Sequence, residues 1–228
     1  MASPLTTIII PVRDEDHRTI VRLLYDLDRA GYPTILVDDG SVQVVPGADI
    51  RFEIPRGYGS ALKAGIEKAT TDLVATMDGD GQHSARDVKR LEEFMCYFPD
   101  NTMVIGDRRL KERGKRLWGR KVLNWTASVF ARRWINDLNS GLRIFRREVA
   151  IGYASILSDG FSFTTSLTLA MLADGYRVDW LPIKVAPRLH GQTKVQLWRD
   201  GWITLKTIVW IGGALRTRKF RAWLRNLR

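Results

Sequence analysis

The residues best suited to chemistry form one short segment, Asp78 to Gln82, which reads Asp-Gly-Asp-Gly-Gln. Two carboxylates and an amide oxygen, separated by glycines that let the backbone bend tightly, make a set of oxygen donors for a hard cation. Mg²⁺ or Mn²⁺ typically retains waters and substrate phosphates as further ligands, so two or three protein oxygens suffice. We therefore predict a metal site at Asp78, Asp80 and Gln82 that bridges to a diphosphate.

An EF-hand calcium loop is the main alternative for this segment. Its register requires Gly at position 83 and Glu at position 89, where the chain has His83 and Lys89, so an EF-hand is excluded. His83 is either a fourth ligand or a hydrogen-bonding neighbour of the metal loop, and the sequence leaves both interpretations open.

Three further segments follow or precede apolar runs. Pro11 to Glu15 follows the first run and Asp38 to Ser41 follows the second. Acids at such positions can accept hydrogen bonds from a base edge or from ribose hydroxyls, although Asp-Gly-Ser is also an ordinary turn sequence. Arg56 to Ala61 either presents backbone N–H groups to a phosphate at a helix start or forms a tight turn between strand and helix.

These segments must be positioned by the elements around them, which alternate between short apolar runs and longer stretches of helical period. That alternation predicts an α/β fold with a mostly parallel sheet covered by helices. Ligands of such sheets bind outside the carboxyl ends of the strands, where the segments above fall. The predicted strands are Thr6–Val12, Thr34–Val37, Leu73–Met77, Met103–Gly106 and Val178–Pro182, and the predicted helices are His17–Ala30, Ser60–Ala69, Ala85–Phe98, Val122–Arg133 and Thr165–Ala173.

Composition indicates one globular domain. The chain has 228 residues, of which 45% are hydrophobic, enough for one sizeable core. The single cysteine, Cys96, excludes an intramolecular disulfide and favours a reducing compartment, and its apolar neighbours predict packing rather than reactivity. The first ten residues lack the basic flank and apolar core of a secretory signal, so we expect a cytoplasmic protein.

The net charge of +11 is concentrated in two stretches. Residues 108–147 hold thirteen Lys and Arg against two acids, and residues 188–228 hold ten against one. Such polarity predicts a face that seeks phosphate, in a nucleic acid or an anionic membrane, with a merely solvated surface as the alternative. A nucleic-acid-binding module would explain the basic stretches but not the carboxylates at Asp78 and Asp80.

With these segments in this order, the chain resembles the inverting family 2 glycosyltransferases of the GT-A fold, most closely the dolichyl- and polyprenyl-phosphate sugar synthases. The resemblance implies a catalytic domain over residues 1–195 that binds a nucleoside diphosphate sugar. The segment from Asp137 to Arg143 is similar to the family's Ser-Gly-Phe-Arg segment beside the donor sugar, and Arg188 to Lys194 is similar to its closing loop. The residues implied for the nucleotide sugar are Pro11, Arg13, Glu15, Asp38, Asp39, Asp78, Gly79 and Ser140, and those implied for catalysis are Asp80, Arg188 and Lys194.

Departures from the family pattern bear on both substrates. Arg13-Asp14-Glu15 replaces the family's frequent Tyr-Asn-Glu, which leaves uridine and guanosine nucleotides open. Gly160 to Ser166 is hydroxyl-rich and uncharged where many relatives carry an acid. A sugar hydroxyl needs a base to become a nucleophile at neutral pH, whereas a phosphate monoester is already anionic, so we expect a polyprenyl phosphate acceptor. A saccharide or protein hydroxyl is the alternative acceptor. The resemblance assigns the acceptor phosphate to Arg108, Arg120 and Asn124.

The last stretch, residues 196–228, mixes four tryptophans with Leu, Ile, Lys and Arg. Its longest uncharged run, Thr207 to Leu215, has nine residues, far short of the roughly 20 that span a bilayer. The pattern predicts basic amphipathic helices lying on the cytoplasmic face of a membrane. A helical pair packed on the core, or an oligomer contact, is the alternative. The expected partners are thus a UDP- or GDP-linked sugar, a polyprenyl phosphate and an anionic membrane surface, with no nucleic acid.

Overall fold

The computed structural model describes residues 6–108, 115–131, 133–186 and 202–211. Within these ranges seven strands form one sheet with helices on both faces. The strands are β1 (Thr6–Val12), β2 (Thr34–Asp38), β3 (Ile50–Arg51), β4 (Leu73–Thr76), β5 (Asn101–Asp107), β6 (Arg143–Arg146) and β7 (Arg177–Pro182). The helices are α1 (His17–Arg29), α2 (Tyr58–Lys68), α3 (Ala85–Tyr97), α4 (Lys115–Ala131), α5 (Arg147–Gly152), α6 (Phe163–Ala173) and α7 (202–211).

The sheet is parallel except for one strand. Its order is β3-β2-β1-β4-β6-β5-β7, and β6 runs antiparallel to both β4 and β5. The parallel strands all end at one edge, and the antiparallel strand begins there, with Arg143 opposite Thr76. The segment that precedes β6 is therefore delivered to the same edge as the segments that follow β1, β2, β4 and β5.

The predicted elements are present, and most of their ends lie within a few residues of the observed ones. Helix α4 is the exception, because it begins at Lys115 rather than Val122. Strand β6 was missed since only four residues, two of them arginines, carry its pattern. Strand β3 has two residues and helix α5 has six, so neither shows a measurable period.

The strand side chains alternate between two apolar cores, one on each face of the sheet. Ile9 packs into the first core with α2, α4 and α6, whereas Ile8 and Ile10 pack into the second with α1 and α3. Cap residues define the starts of the helices over the second core: Asp16 accepts the Thr19 N–H at 2.9 Å and Ser84 accepts the Asp87 N–H at 3.3 Å.

Helix α7 is part of the first core. Ile208 and Ile211 are fully buried there, and the Thr204 hydroxyl lies 3.5 Å from that of Ser162 at the start of α6. The predicted boundary at residue 195 therefore does not separate residues 202–211 from the core. Across the described ranges, no helix combines the length and the apolar content needed to cross a membrane.

Candidate active site

Asp78, directly after β4, is held from two sides at the carboxyl edge of the sheet. The Tyr58 hydroxyl donates a hydrogen bond to its Oδ1 at 2.9 Å. The other carboxylate oxygen lies against Gly141, where a Cβ would overlap it, and the Gly141 carbonyl accepts the Thr76 hydroxyl at 2.8 Å. The glycine of the predicted donor-sugar segment thus makes room for the predicted metal ligand.

Asp80 and Gln82 belong to a loop that is tied to the end of β7. The Asp80 carboxylate, which is buried, accepts the Gln82 N–H at 3.1 Å. The Gln82 amide donates to the Ala186 carbonyl at 3.2 Å, and the Ala186 N–H donates back to the Gln82 carbonyl at 3.0 Å. These bonds join the predicted metal loop to the segment that leads toward Arg188. Gly79, between the two carboxylates, lies against Val12 at the end of β1.

His83 follows this loop and carries a buried ring nitrogen that lacks a hydrogen-bond partner among the described residues. Its side chain is only 5% exposed, and this nitrogen is Nδ1. Burial lowers the pKa of His83 although the Asp78 carboxylate nearby opposes that shift. The imidazole is therefore held neutral, which is the form that accepts a hydrogen bond or ligates a cation.

The donors fit a hard divalent cation that completes its shell with substrate oxygens. The described residues contain no group of three or more His, Cys, Asp or Glu side chains placed to hold a metal ion by themselves. Carboxylate and amide oxygens are donors that Mg²⁺ or Mn²⁺ accepts beside waters and substrate phosphates. The carboxylates of Asp78 and Asp80 with the Gln82 amide oxygen supply these donors.

The two acids at the end of β2, Asp38 and Asp39, organise the loops around the predicted nucleotide pocket. Asp38 is fully buried, pairs with Arg51 at 2.7 Å and accepts the Ser41 N–H at 2.9 Å. Asp39 accepts the N–H groups of Arg56 and Gly57 at 2.7 and 3.0 Å. Both carboxylates therefore have protein partners, and they align the backbone of the pocket whether or not they also contact a nucleotide.

The first segment lies beside them. Pro11 is buried in β1, opposite Val37. The side chain of Arg13 is half exposed and lies 3.9 Å from Asp14, and Glu15 is partly buried. Strand pairing places Val12 opposite Asp38, and the Asp14 N–H donates to the Ser41 hydroxyl at 2.9 Å, so the segment after β1 lies beside the segment after β2.

The turn at the start of α2 is used by the protein itself. Gly57 has a φ of 106°, which favours glycine, and its N–H is bound by Asp39. The N–H groups of Gly59 and Ser60 both donate to the Asp159 carbonyl, at 2.8 and 3.1 Å. The phosphate-cradle interpretation of this segment is therefore wrong, and the tight-turn interpretation is confirmed.

Two of the residues assigned to the acceptor phosphate, Arg108 and Asn124, make hydrogen bonds to the predicted donor-sugar segment or to the residue before it. The Arg108 guanidinium donates to the buried Asp137 carboxylate from two nitrogens, at 2.8 and 3.1 Å. It also donates to the Asn139 carbonyl at 2.9 Å. Asn124 donates to the Asn136 carbonyl at 2.6 Å and accepts the Leu138 N–H at 3.2 Å. A phosphate would have to compete with these bonds. Arg120 lies in α4, but its side chain is outside the described residues, as are Arg188 and Lys194 altogether.

Arg143 is a residue whose role the sequence did not reveal. It is fully buried and donates to the carbonyls of Ser140 and Thr164 and to the Thr168 hydroxyl. Burial lowers its pKa to about 10, so it stays charged at neutral pH. Arg143 therefore joins the predicted donor-sugar segment to α6. Ser140, in the same segment, is fully buried.

The sequence of this chain is similar to those of known proteins. The family model for glycosyl transferase family 2 matches residues 7–161, about two thirds of the chain. This chain belongs to glycosyl transferase family 2. The family 2 chain is 29% identical to an uncharacterized glycosyltransferase of Mycobacterium tuberculosis over 86% of its own length and 91% of that protein.

Two named relatives are also similar to this family 2 glycosyltransferase. It is 28% identical to the undecaprenyl-phosphate mannosyltransferase of Micrococcus luteus, with 73% of this chain and 70% of that protein covered. It is 30% identical to the polyprenol monophosphomannose synthase of Mycolicibacterium smegmatis, with 61% and 56% covered.

Solved structures confirm the predicted fold of this family 2 glycosyltransferase. Glucosyl-3-phosphoglycerate synthase of Mycobacterium tuberculosis, crystallised with Mn²⁺, UDP-glucose and phosphoglyceric acid, superposes with a TM-score of 0.73 at 16% identity. The match covers 93% of this chain and 81% of that one. The fold is of the GT-A type, and the protein is a glycosyltransferase, as the ordered motifs predicted.

Proposed function

We propose that this family 2 glycosyltransferase moves a sugar, with inversion, from a UDP- or GDP-linked donor to a polyprenyl phosphate. Two relatives whose names state polyprenyl-phosphate mannosyl transfer support the acceptor class. The chemistry of the site supports it independently, through the acids that could otherwise serve as a base for a hydroxyl acceptor.

The single observation that carries the proposal is that two acids are paired with cations: Asp159, beside the uncharged segment Gly160 to Ser166, and Asp137, in the predicted donor-sugar segment. Asp137 is fully buried and paired with Arg108. Asp159 is paired with Lys63 at 2.8 Å, and that hydrogen bond lowers the pKa of its carboxyl. Asp137 is buried and committed to Arg108, and Asp159 is a weakened base because Lys63 lowers its pKa, so neither is suited to take a proton from a hydroxyl. An acceptor that is already anionic needs no such base.

The donor end uses the metal loop. Asp78, Asp80 and Gln82 would hold Mg²⁺ or Mn²⁺, which when bound supplies charge neutralisation for the leaving diphosphate. Tyr58 and Gly141 orient the Asp78 carboxylate, and Asp38 and Asp39 shape the nucleotide pocket. Arg188 and Lys194 remain our candidates for further contacts with the diphosphate, and Arg120 for the acceptor phosphate.

The reaction then needs only positioning at the acceptor end. An oxygen of the lipid phosphate attacks the anomeric carbon in line with the departing diphosphate, and no covalent intermediate with the protein is formed. The Asp137–Arg143 segment, held by Arg108, Asn124 and Arg143, keeps the donor sugar in place. Because the acceptor is part of a lipid, we also propose that the enzyme works at a membrane surface.

The decisive experiment offers matched acceptors to the purified protein. Radiolabelled UDP- and GDP-linked sugars are supplied with Mn²⁺ and with polyprenyl phosphate, the corresponding polyprenol, or an oligosaccharide. We expect a labelled product only with polyprenyl phosphate, and mass spectrometry identifies the sugar. Transfer to the polyprenol or the oligosaccharide, without transfer to polyprenyl phosphate, would overturn the proposal.

A further inference from the structure

Helix α4 has an outward side that is apolar. Its inward side packs Leu123 and Ala127 into the first core. Val122, Trp125 and Val129 lie three and four residues apart, which places them on one side of a helix, and all three are exposed. Trp134, just beyond the helix, is 70% exposed.

Helix α7 is built in the same way. Thr204, Ile208 and Ile211 face the core, and the positions between them carry large apolar side chains to the surface. Lys206 lies among these, with its Nζ 5.9 Å from the centre of the Trp202 ring. The exposed apolar residues of α7 are Trp202, Ile203, Val209 and Trp210.

Both helices lie over the same face of the sheet, since Ala127 of α4 and Ile208 and Ile211 of α7 belong to the same core. Their outward sides therefore lie on the same side of the molecule. We call the eight exposed residues the aromatic face; each is between 42% and 70% exposed, and four are tryptophans. Its members are Val122, Trp125, Val129, Trp134, Trp202, Ile203, Val209 and Trp210.

This face could dock on an anionic bilayer or on a second copy of the chain, and the charge of the adjoining sequence favours the bilayer. Residues 109–121 hold seven Lys and Arg and one Glu, and residues 216–228 hold six Lys and Arg and no acid. Tryptophan together with Lys and Arg is the composition that binds the headgroup layer of an anionic bilayer. The net charge of +11 also opposes the association of two copies of this chain and favours an anionic surface.

We propose that the aromatic face docks on an anionic lipid bilayer and that α4 thereby joins the membrane to the active site. The opposite side of α4 carries Asn124, which holds the backbone of residues 136 and 138 next to the donor-sugar segment. Docking through Trp125 thus brings a lipid phosphate in the headgroup layer to that edge of the sheet. This inference rests on the proposed function only for the identity of the lipid acceptor.

The test compares two double variants in which large exposed residues become serine. Trp125→Ser/Trp210→Ser removes one tryptophan from each helix of the aromatic face. Tyr25→Ser/Tyr97→Ser is the matched control, because both tyrosines are exposed on α1 and α3, over the other face of the sheet. Cosedimentation is measured with vesicles of phosphatidylglycerol and phosphatidylcholine, and quenching of tryptophan emission with brominated lipid in the same vesicles.

We expect the tryptophan variant to bind these vesicles at least about tenfold more weakly and to lose most of the quenching, because burial of each indole contributes to affinity. The tyrosine control should bind like the unchanged protein. Both variants should retain transfer to a short, water-soluble polyprenyl phosphate. Equal vesicle binding by the two double variants would overturn the inference.

Two further outcomes separate this inference from the proposed function. Transfer to the soluble polyprenyl phosphate by a protein that binds no vesicles would leave the function standing and overturn the aromatic face as a membrane site. Analytical ultracentrifugation covers the other occupant: a dimer that the tryptophan variant converts to monomer, with vesicle binding unchanged, would assign the face to a second copy of the chain.

Discussion

Two residues of the predicted metal loop, Asp78 and Gln82, are oriented by neighbours distant in the sequence. Asp78 is held by Tyr58 and backed by Gly141, and Gln82 is tied to Ala186. The Asp78 carboxylate is thereby held in one orientation, and preorganised groups are the ones that give the most effective electrostatic stabilisation. Single-residue variants of this loop and of its neighbours test the proposed metal site directly.

Replacement of Asp80 by alanine should abolish transfer and remove the Mn²⁺ dependence of nucleotide binding. The carboxylate provides cation ligation from a loop rather than packing, so the fold should survive. Isothermal titration with UDP and GDP, with and without Mn²⁺, measures the effect. Asp100→Ala is the matched control, since Asp100 is exposed at the opposite edge of the sheet. Unchanged Mn²⁺-dependent binding by Asp80→Ala would exclude this residue as a ligand.

Replacement of Tyr58 by phenylalanine should weaken Mn²⁺ binding and turnover by about tenfold or more. The variant keeps the ring that stacks on Phe161, with centroids 5.5 Å apart, but it loses the hydroxyl that binds the Asp78 carboxylate. Hydrogen bonds to charged groups contribute about 1.5–3 kcal/mol, which corresponds to that range. Tyr176→Phe, at the start of β7, is the control. Wild-type Mn²⁺ affinity in Tyr58→Phe would show that the hydroxyl does not position Asp78.

At the scale of elements, β6 and α4 decide the shape of the site. The antiparallel direction of β6 carries the Asp137–Arg143 segment to the carboxyl edge, and α4 clamps that segment through Asn124. Arg108, at the end of β5, clamps it through Asp137. The donor-sugar segment is thus held by two elements that the sequence associated with the acceptor.

Asn124→Ala distinguishes a clamp from an acceptor ligand. As a clamp, Asn124 satisfies the Asn136 carbonyl and the Leu138 N–H, so its loss should lower the free energy of unfolding by about 1–3 kcal/mol. Urea unfolding measures this, with Thr126→Ala on the exposed side of α4 as the control. Unchanged stability together with a raised KM for lipid phosphate would return Asn124 to the acceptor site. Arg120→Ala should show that second pattern.

At the scale of the whole molecule, the C-terminal stretch has two features. Part of it packs into the first core, and it also carries exposed tryptophans and many of the cations. Ile208 and Ile211 are buried in the first core, so residues 202–211 stabilise the catalytic unit. The cations of residues 216–228 follow this helix in the sequence. Residues 202–211 are therefore expected to combine packing with membrane docking, whereas the cations of residues 216–228 are expected to add membrane affinity.

Truncation before Thr217 should separate these two roles. It removes Trp223 and five cations, each worth about 1 kcal/mol of affinity for an anionic surface, but it keeps α7. Vesicle binding should fall steeply and become less sensitive to salt, while transfer to a short, water-soluble polyprenyl phosphate persists. Unchanged cosedimentation together with loss of activity on the soluble acceptor would mean that residues 217–228 act as a packing element.

The sequence by itself determined the alternation of strands and helices and the position of Asp78 to Gln82 after a strand, because both depend on periodicity and local spacing. Ordered motifs were also enough to predict the family. Only the tertiary structure decided which polar side chains are committed to other parts of the protein. Arg108 meets Asp137 29 residues away, Asp39 meets Arg56 17 away and Tyr58 meets Asp78 20 away. Whether a charged group faces a ligand or a neighbour depends on which distant segments the sheet order brings together, and no local pattern encodes that.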